Sequence, residues 1–278
     1  MLILRYPGGL KKAVTLSYDD GVEQDARLMD ILDRHGLKAT FNLNSGCWTE
    51  EGHVFPEGFV QRRLTLKAAQ ALYTHSGHEV ASHTLTHPYL TQLPPAMAGA
   101  EIAQDRLNLE RQFGVLVRGA AYPFGVYSDA IVETLRANGI VYCRTVESSH
   151  GFAIPSDWLR LRPTCHHADP ALMELCEQFL GRPSAKYSEL FYLWGHAYEF
   201  EDKDNWKVIE RFAAFMGHRE GIWYATNIEI CDYVLDFQRL ILSADGRTLV
   251  NPTARTLWLQ PDVDCEVLAI APGETVHI

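Results

Sequence analysis

The sequence predicts an α/β protein: a distorted (β/α) barrel of about seven strands with a small C-terminal all-β appendage. Three observations predict it. Short β-rich runs alternate with segments of helical spacing from about residue 13 to residue 237. Reactive side chains gather just after the β-rich runs. From about residue 238 the alternation gives way to short apolar runs cut by turn-forming pairs. Alternation of this kind argues for a largely parallel sheet with crossover helices, and seven or eight units favour a barrel over an open sheet.

In chain order, residues 13–18 (AVTLSY) form the first β-rich run. Residues 24–35 place Ala26, Met29, Ile31 and Leu32 at helical spacing and stop at Gly36. Residues 38–43 form the second strand. Residues 64–75 read as a helix with Thr65 as N-cap, ending before Gly77, and 78–82 as a short strand. A helix is expected over 95–113, strands at 118–122 and 140–144, and between them a helix over 128–138 that ends at Asn138-Gly139. Residues 158–162, 190–194 and 222–225 are further strands, with helices near 170–180, 204–217 and 226–237. Beyond them, RLILS, TLVN, TLWL, EVLAI and TVHI are separated by Asp245-Gly246, Asn251-Pro252, Pro261-Asp262 and Pro272-Gly273, the pattern of small hairpins. Two units follow: a barrel over 1–237 and a β-rich extension over 238–278.

Composition narrows the function classes. With 25 basic against 35 acidic residues the formal charge is −10. Such a surface repels phosphate backbones, so no nucleic-acid partner is expected. The N-terminal Met1-Leu2-Ile3-Leu4 is too short for the apolar core of an export signal, and no stretch has the length of a membrane span. A cytoplasmic protein with no membrane partner is the expectation. The six cysteines show no metal-finger spacing and read as free, mostly buried thiols. Oligomeric state stays open, a homo-oligomer included.

The position of the reactive residues is the informative feature. Asp19 and Asp20 follow the first strand, Asn42 and Asn44 the second, His83 and His87 the third, and Pro123-Phe124-Gly125 the fourth. Arg144 ends the fifth, and His196 follows the strand that ends at Trp194. In a parallel barrel all strand C-termini share one face, where active sites are built. Taken singly, each piece has a plainer reading. Asp19-Asp20-Gly21 can be a turn, and His196 can be a half-buried core histidine. Together they suggest more. Adjacent carboxylates repel, and a cation relieves them while one of the pair accepts a proton from water. His83 and His87, four residues apart, face the same side if they lie on one helical turn. Two histidines and one aspartate make a three-ligand site with open positions, the catalytic rather than structural layout. His196, titrating near neutrality, suits a general acid. Glu199, His166 and His167 are weaker candidates. Asn44, Tyr122, Trp194 and Tyr198 are the candidate substrate-binding residues.

These residues resemble the polysaccharide deacetylases (carbohydrate esterase family 4, the nodulation deacetylase homology domain). Thr15-Leu16-Ser17-Tyr18-Asp19-Asp20-Gly21 is similar to the first motif of that family, and Ser82-His83-Thr84-Leu85-Thr86-His87 to the second, H-[ST]-x-x-H. Tyr122-Pro123-Phe124-Gly125 resembles the third, R-x-P-Y, and Leu193-Trp194-Gly195-His196 the fifth, L-x-H. The resemblance covers about residues 12–235. It implies a metal-dependent hydrolase that removes the N-acetyl group from an acetylated amino sugar or oligosaccharide. Asp19 would be the base. Asp20, His83 and His87 would hold a divalent cation, most often Zn²⁺, with Co²⁺, Ni²⁺ or Mn²⁺ as substitutes. The Phe124 N–H would help to stabilise the oxyanion, and His196 would protonate the leaving group. An O-acetyl (xylan-type) esterase and a catalytically silent sugar-binding protein are the alternatives. The sequence departs from the pattern in three places. Ala121 stands where the third motif has arginine, so Arg144 is the expected substitute for orienting Asp19. Gly195 is an extra residue before His196. The acid that orients His196 is either Asp157 or Glu199.

Overall fold

The computed structural model describes residues 2–182 and 186–278. Strand β1 (Ile3–Arg5) precedes the barrel strand β2 (Lys12–Asp19). The chain continues through α1 (Asp25–Arg34), β3 (Ala39–Leu43), α2 (Leu66–Tyr73), β4 (Glu79–Ser82), α3 (Pro95–Phe113), β5 (Gly119–Ala121), α4 (Asp129–Ala137) and β6 (Tyr142–Arg144). After a long connection come β7 (Cys165–His166), α5 (Leu172–Gly181), β8 (Glu189–Gly195), the short α6 (Tyr198–Asp202), α7 (Lys207–Met216), β9 (Ile222–Tyr224) and α8 (Asn227–Gln238). The last forty residues carry β10 (Ile241–Leu242), β11 (Thr248–Val250), β12 (Leu257–Gln260), β13 (Leu268–Ile270) and β14 (Thr275–His277).

Strands β2 to β9 form one parallel sheet in the order β6-β5-β4-β3-β2-β8-β7, with β9 paired to the start of β2. The sheet curls into the expected distorted barrel. Its longest register runs from Lys12↔Glu189 to Tyr18↔Gly195. Between β6 and β7 the gap is partly bridged, because Leu161 pairs with Arg144 and the Thr164 N–H reaches the Tyr192 carbonyl at 2.8 Å.

The alternation of side chains along β2 explains both faces of the sheet. Val14, Leu16 and Tyr18 turn outward into an apolar layer with Leu28, Leu32, Phe41, Phe191 and Phe212. Each such fully buried side chain contributes roughly 1.5–3 kcal/mol. Thr15, Ser17 and Asp19 alternate with them and point into a polar interior. Thr15 Oγ1 donates to Asn227 Oδ1 at 2.9 Å, Ser17 shares a 2.8 Å hydrogen bond with the Tyr192 hydroxyl, and Asp19 accepts from Asn42. A parallel sheet is covered on both sides, so polar residues inside it must be paired with each other.

Capping residues set the helix starts. Thr65 and Ser128 accept from the Ala68 and Ile131 N–H groups. Thr226 and Glu229 form a reciprocal capping box on α8. Helix α3 begins at Pro95 and ends at left-handed Gly114.

Three local expectations are corrected. Residues 158–162 are not a strand: Trp158–Arg160 make one 3-10 turn, and only Leu161 bridges to the sheet. The Asp157 side chain accepts from the Leu159 N–H at 3.1 Å, and Pro163 supplies no donor for a ladder. The short β7 and α6 were not foreseen. The terminal β structure includes the N-terminus, since β1 pairs antiparallel with β12, which pairs with β13. Strands β10, β11 and β14 form the other small sheet. Among the described residues no helix is long and apolar enough to cross a membrane.

Candidate active site

The C-terminal ends of the barrel strands open into a cleft of about 510 Å³, lined by Asp19, Asp20, Gln61, Arg63, His83, His87, Tyr122, Phe124, Val146, Trp194, His196 and Tyr198. Asp19 is the last residue of β2 and is buried. Its Oδ1 accepts from Asn42 Nδ2 at 2.8 Å, and its Oδ2 accepts from the Arg144 guanidinium. His83 Nε2 and His196 Nε2 each lie 3.8 Å from Oδ2. Burial opposes the carboxylate, but Arg144, His83, His196 and Asn42 outweigh it and hold Asp19 at about 2. Arg144 is itself buried and lies against the Trp194 ring, 4.1 Å from its centroid. The structure therefore brings Arg144 to Asp19.

Asp20 turns the other way because its backbone is left-handed, with φ 86°. Its Oδ2 accepts from Gln61 at 2.8 Å, and Arg63 donates to its Oδ1 at 2.9 Å and to its carbonyl at 2.7 Å. Burial raises its pKa, yet Arg63 and the nearby histidines bring the net value below the usual aspartate range.

The two histidines do not lie on a helical turn. The His83 N–H continues the ladder to the Leu43 carbonyl at 2.8 Å, and left-handed residues at Thr84 (φ 67°) and His87 (φ 58°) fold the loop back. Pro88, directly after His87, disfavours the helical backbone the spacing suggested. The rings still meet, with centroids 4.7 Å apart. Asn44 is the residue that holds this loop: its amide donates to the His83 and Thr84 carbonyls at 2.5 and 2.8 Å, and its oxygen accepts from Arg63. It is buried and absent from the cleft lining.

One donor atom each from Asp20, His83 and His87 lies within 4.8 Å of the others. The set suits a divalent cation. His83 Nδ1 sits 2.9 Å from the Ala121 carbonyl, which fixes the proton there and turns Nε2 toward the cleft. Burial lowers His83 to about 4 and lowers His87 as well, so both rings are neutral and able to ligate near pH 7.

The turn Pro123–Gly125 holds Phe124 at φ 57°. Its ring stacks on Tyr89 at 3.9 Å and edge-on to His87 at 4.6 Å. Asp20, His87 and Phe124, which line the cleft, and Thr84, next to His83, are non-glycine residues in the left-handed region. Such backbone costs on the order of 1–3 kcal/mol per residue and gathers where function fixes geometry.

On the opposite wall, Glu199 at the start of α6 is the carboxylate beside His196. Its Oε1 lies 3.6 Å from His196 Nδ1, and its Oε2 lies 3.1 and 2.9 Å from Nε2 of His166 and His167. Burial disfavours an ionised Glu199, but the three rings hold it well below the carboxylate range. Burial likewise opposes a charged His196, and Glu199, Asp19 and Asp20 raise it above the ordinary histidine value. Asp157 is engaged elsewhere, with Arg160 at 2.7 Å. Tyr122 donates to the Leu159 carbonyl at 2.8 Å and stacks on Tyr127. Trp194 and Tyr198 border the cleft. Sequence reading missed Gln61 and Arg63, which come from the loop between β3 and α2. That loop has no periodic pattern to announce it.

Residues 7–143 match the polysaccharide deacetylase family. That match takes in just under half of the chain, its N-terminal part. It is 26% identical over 156 residues to a chitooligosaccharide deacetylase of Bradyrhizobium sp. (strain ANU 289), a match covering 54% of this chain and 60% of the relative. It is 25% identical over 126 residues to the peptidoglycan-N-acetylglucosamine deacetylase PgdA of Listeria monocytogenes, covering 45% of this chain and 24% of that protein. The chain thus spans about three-fifths or less of the length of these relatives. In fold it is similar to a Mycobacterium smegmatis protein assigned to the polysaccharide deacetylases, with a TM-score of 0.60 at 17% identity over 85% of this chain and 94% of the other. The chitin deacetylase of Colletotrichum lindemuthianum aligns with a TM-score of 0.52 at 20% identity, over 83% and 90%.

Proposed function

We propose that this chain hydrolyses the N-acetyl group of an N-acetylated amino sugar or its oligosaccharides, with a divalent cation held by Asp20, His83 and His87. The observation that carries the reading is the convergence of these three donors with Asp19 and His196 in one cleft. The printed names of the relatives, chitooligosaccharide and peptidoglycan-N-acetylglucosamine deacetylases, favour an amide of an amino sugar.

A bound cation would supply a Lewis acid for the acetyl carbonyl. The remaining work falls to the chain's own groups. Asp19, ionised across the neutral range, takes a proton from the attacking water. A carboxylate this acidic is a weak base, so its contribution comes from position, which Arg144 and Asn42 fix. The Phe124 N–H is assigned to the developing oxyanion, a donor worth roughly 3–4 kcal/mol. His196, raised by its carboxylate neighbours, gives a proton to the leaving nitrogen. Amide cleavage needs this proton, because an amide anion is a poor leaving group. Glu199 orients His196. Trp194, Tyr198 and Tyr122 border the sugar, and Asn44 acts through the histidine loop.

Acetate release from N-acetylglucosamine oligomers, acetylated xylan oligomers and an aryl acetate tests the reading. Preference for the amino-sugar oligomers supports it. Release from the xylan oligomers alone would assign an esterase instead. Acetate from none of them would move the chain toward a binding role.

A further inference from the structure

Outside the Asp20 cluster, a second group of metal-type donors occurs among the described residues: His166, His196 and Glu199, one donor atom each, all within 4.8 Å of one another. It repeats the chemistry of the first group, two imidazoles and one carboxylate, a set that suits borderline divalent ions such as zinc. A second observation points to a ligand there. His196 Nδ1 is a buried atom without a hydrogen-bond partner among the described residues, and so is Nδ1 of the neighbouring His167. The rings of His166 and His167 approach Glu199 Oε2 to 3.1 and 2.9 Å, and His166 Nδ1 accepts from the Ala168 N–H at 3.1 Å, so an ion on His166 Nε2 must move that ring's hydrogen to Nδ1 and break the Ala168 contact. Buried polar atoms left unpaired are costly and call for a partner. The side chains of His166, His196 and Glu199 each remain about one-fifth exposed, so an ion can reach them.

We propose that His166, Glu199 and Nδ1 of His196 form a second, weaker divalent-cation site, and that its occupation silences the proton donor of the first. His196 stands between the two groups. Its Nε2 faces Asp19 at 3.8 Å, and its Nδ1 faces Glu199 at 3.6 Å. A cation on Nδ1 takes the place of the proton there and releases it to solvent. The ring then carries hydrogen on Nε2 alone and is no longer an imidazolium, so it is a far weaker acid. It also draws Glu199 away from orienting the ring. The ion site stands on its own geometry; the silencing rests on the deacetylase reading above.

The test is equilibrium dialysis of the metal-stripped chain against Zn²⁺ and, separately, Co²⁺ up to millimolar concentration, with acetate release followed at each concentration. Two ions per chain are expected for the wild type and one for His166→Ala. Glu199→Gln repeats the test on a second ligand, so misfolding of one variant leaves the other decisive. His83→Ala should lose the tighter ion and keep the weaker. Acetate release should rise and then fall with metal in the wild type, and rise and hold level in His166→Ala. One ion per chain in the wild type, or a second ion unchanged in both His166→Ala and Glu199→Gln, would overturn the site. A full second site with no fall in activity would overturn the silencing. If no acetate is released at any metal concentration, the ion count still decides the site, separately from the deacetylase reading.

Discussion

Two carboxyl groups in the barrel interior behave in opposite ways. Asp19 ends β2 at the cleft; half-buried Glu79 begins β4, three residues before the Ser82–His83 step into that cleft. Both are richly hydrogen-bonded. Glu79 accepts from the Thr40 hydroxyl at 2.7 Å, the Tyr142 hydroxyl at 2.7 Å and the Ile228 N–H at 2.9 Å. Burial dominates there, and the three donors offset it only in part, so Glu79 rises from 4.5 to about 7. Asp19 is more deeply enclosed and yet falls to about 2. The difference is a cation: Asp19 has Arg144, whereas Glu79 is ringed by neutral donors. At Glu79 three neutral donors do not offset burial, whereas at Asp19 a guanidinium in contact helps to do so. The cleft end of the barrel is therefore charged, and the opposite end of β4 is close to neutral.

The sharpest way to break this contrast is Asp19→Asn. It removes the base and leaves Arg144 without its carboxylate. The expected loss in kcat/KM is about 10³-fold, within the usual range for acid–base groups; steady-state acetate release measures it. Arg144→Met comes next. It leaves Asp19 buried without its main cation, at a cost of roughly 3 kcal/mol, reduced from a bare buried charge because Asn42 remains. Urea unfolding should show the loss, together with a fall in activity; full activity in this variant would remove Arg144 from the account.

The Glu79 side gives a smaller effect of opposite pH sense. A carboxyl whose folded pKa is raised binds its proton more tightly in the folded chain. Its contribution is complete below about pH 4.5 and is lost as pH rises through 7. The expected loss between pH 5 and 8 is on the order of 2 kcal/mol, and Glu79→Gln should flatten that slope in unfolding curves. A slope unchanged in Glu79→Gln would assign it to other groups, of which buried Asp25, also raised to about 7, is the first to examine. Thr226→Ala removes the capping box of α8, the helix whose Ile228 N–H donates to Glu79, and should cost about 1 kcal/mol in unfolding measurements.

Much of the barrel was legible because its elements obey local rules. Alternation along β2, the spacing in α1 and the boundaries of α3 follow from side-chain period and from Pro95 and Gly114. The strand-end positions of Asp19, Asp20, His83, His87 and His196 were readable for the same reason, since parallel strands present one end together. What escaped depends on contacts between segments distant in sequence. Arg63 and Gln61 reach Asp20 from an aperiodic loop across about forty residues. Pairing of β1 with β12 joins chain ends more than 250 residues apart, which no window of sequence reveals. The helical turn expected for His83–His87 gave way to left-handed residues, because the ladder to Leu43 and the Asn44 amide outweigh local propensity. The pairing of Glu199 with His196 was one of two readings, and only the short α6, unforeseen, separates it from Asp157.

The most direct test of the central claim is acetate release from N-acetylglucosamine oligomers by the metal-stripped chain, before and after Zn²⁺ or Co²⁺ is restored, in the wild type, Asp19→Asn and His83→Ala. The account predicts release that returns with low, near-stoichiometric metal in the wild type and is lost in both variants. Release that persists without metal, or survives in Asp19→Asn, would contradict it.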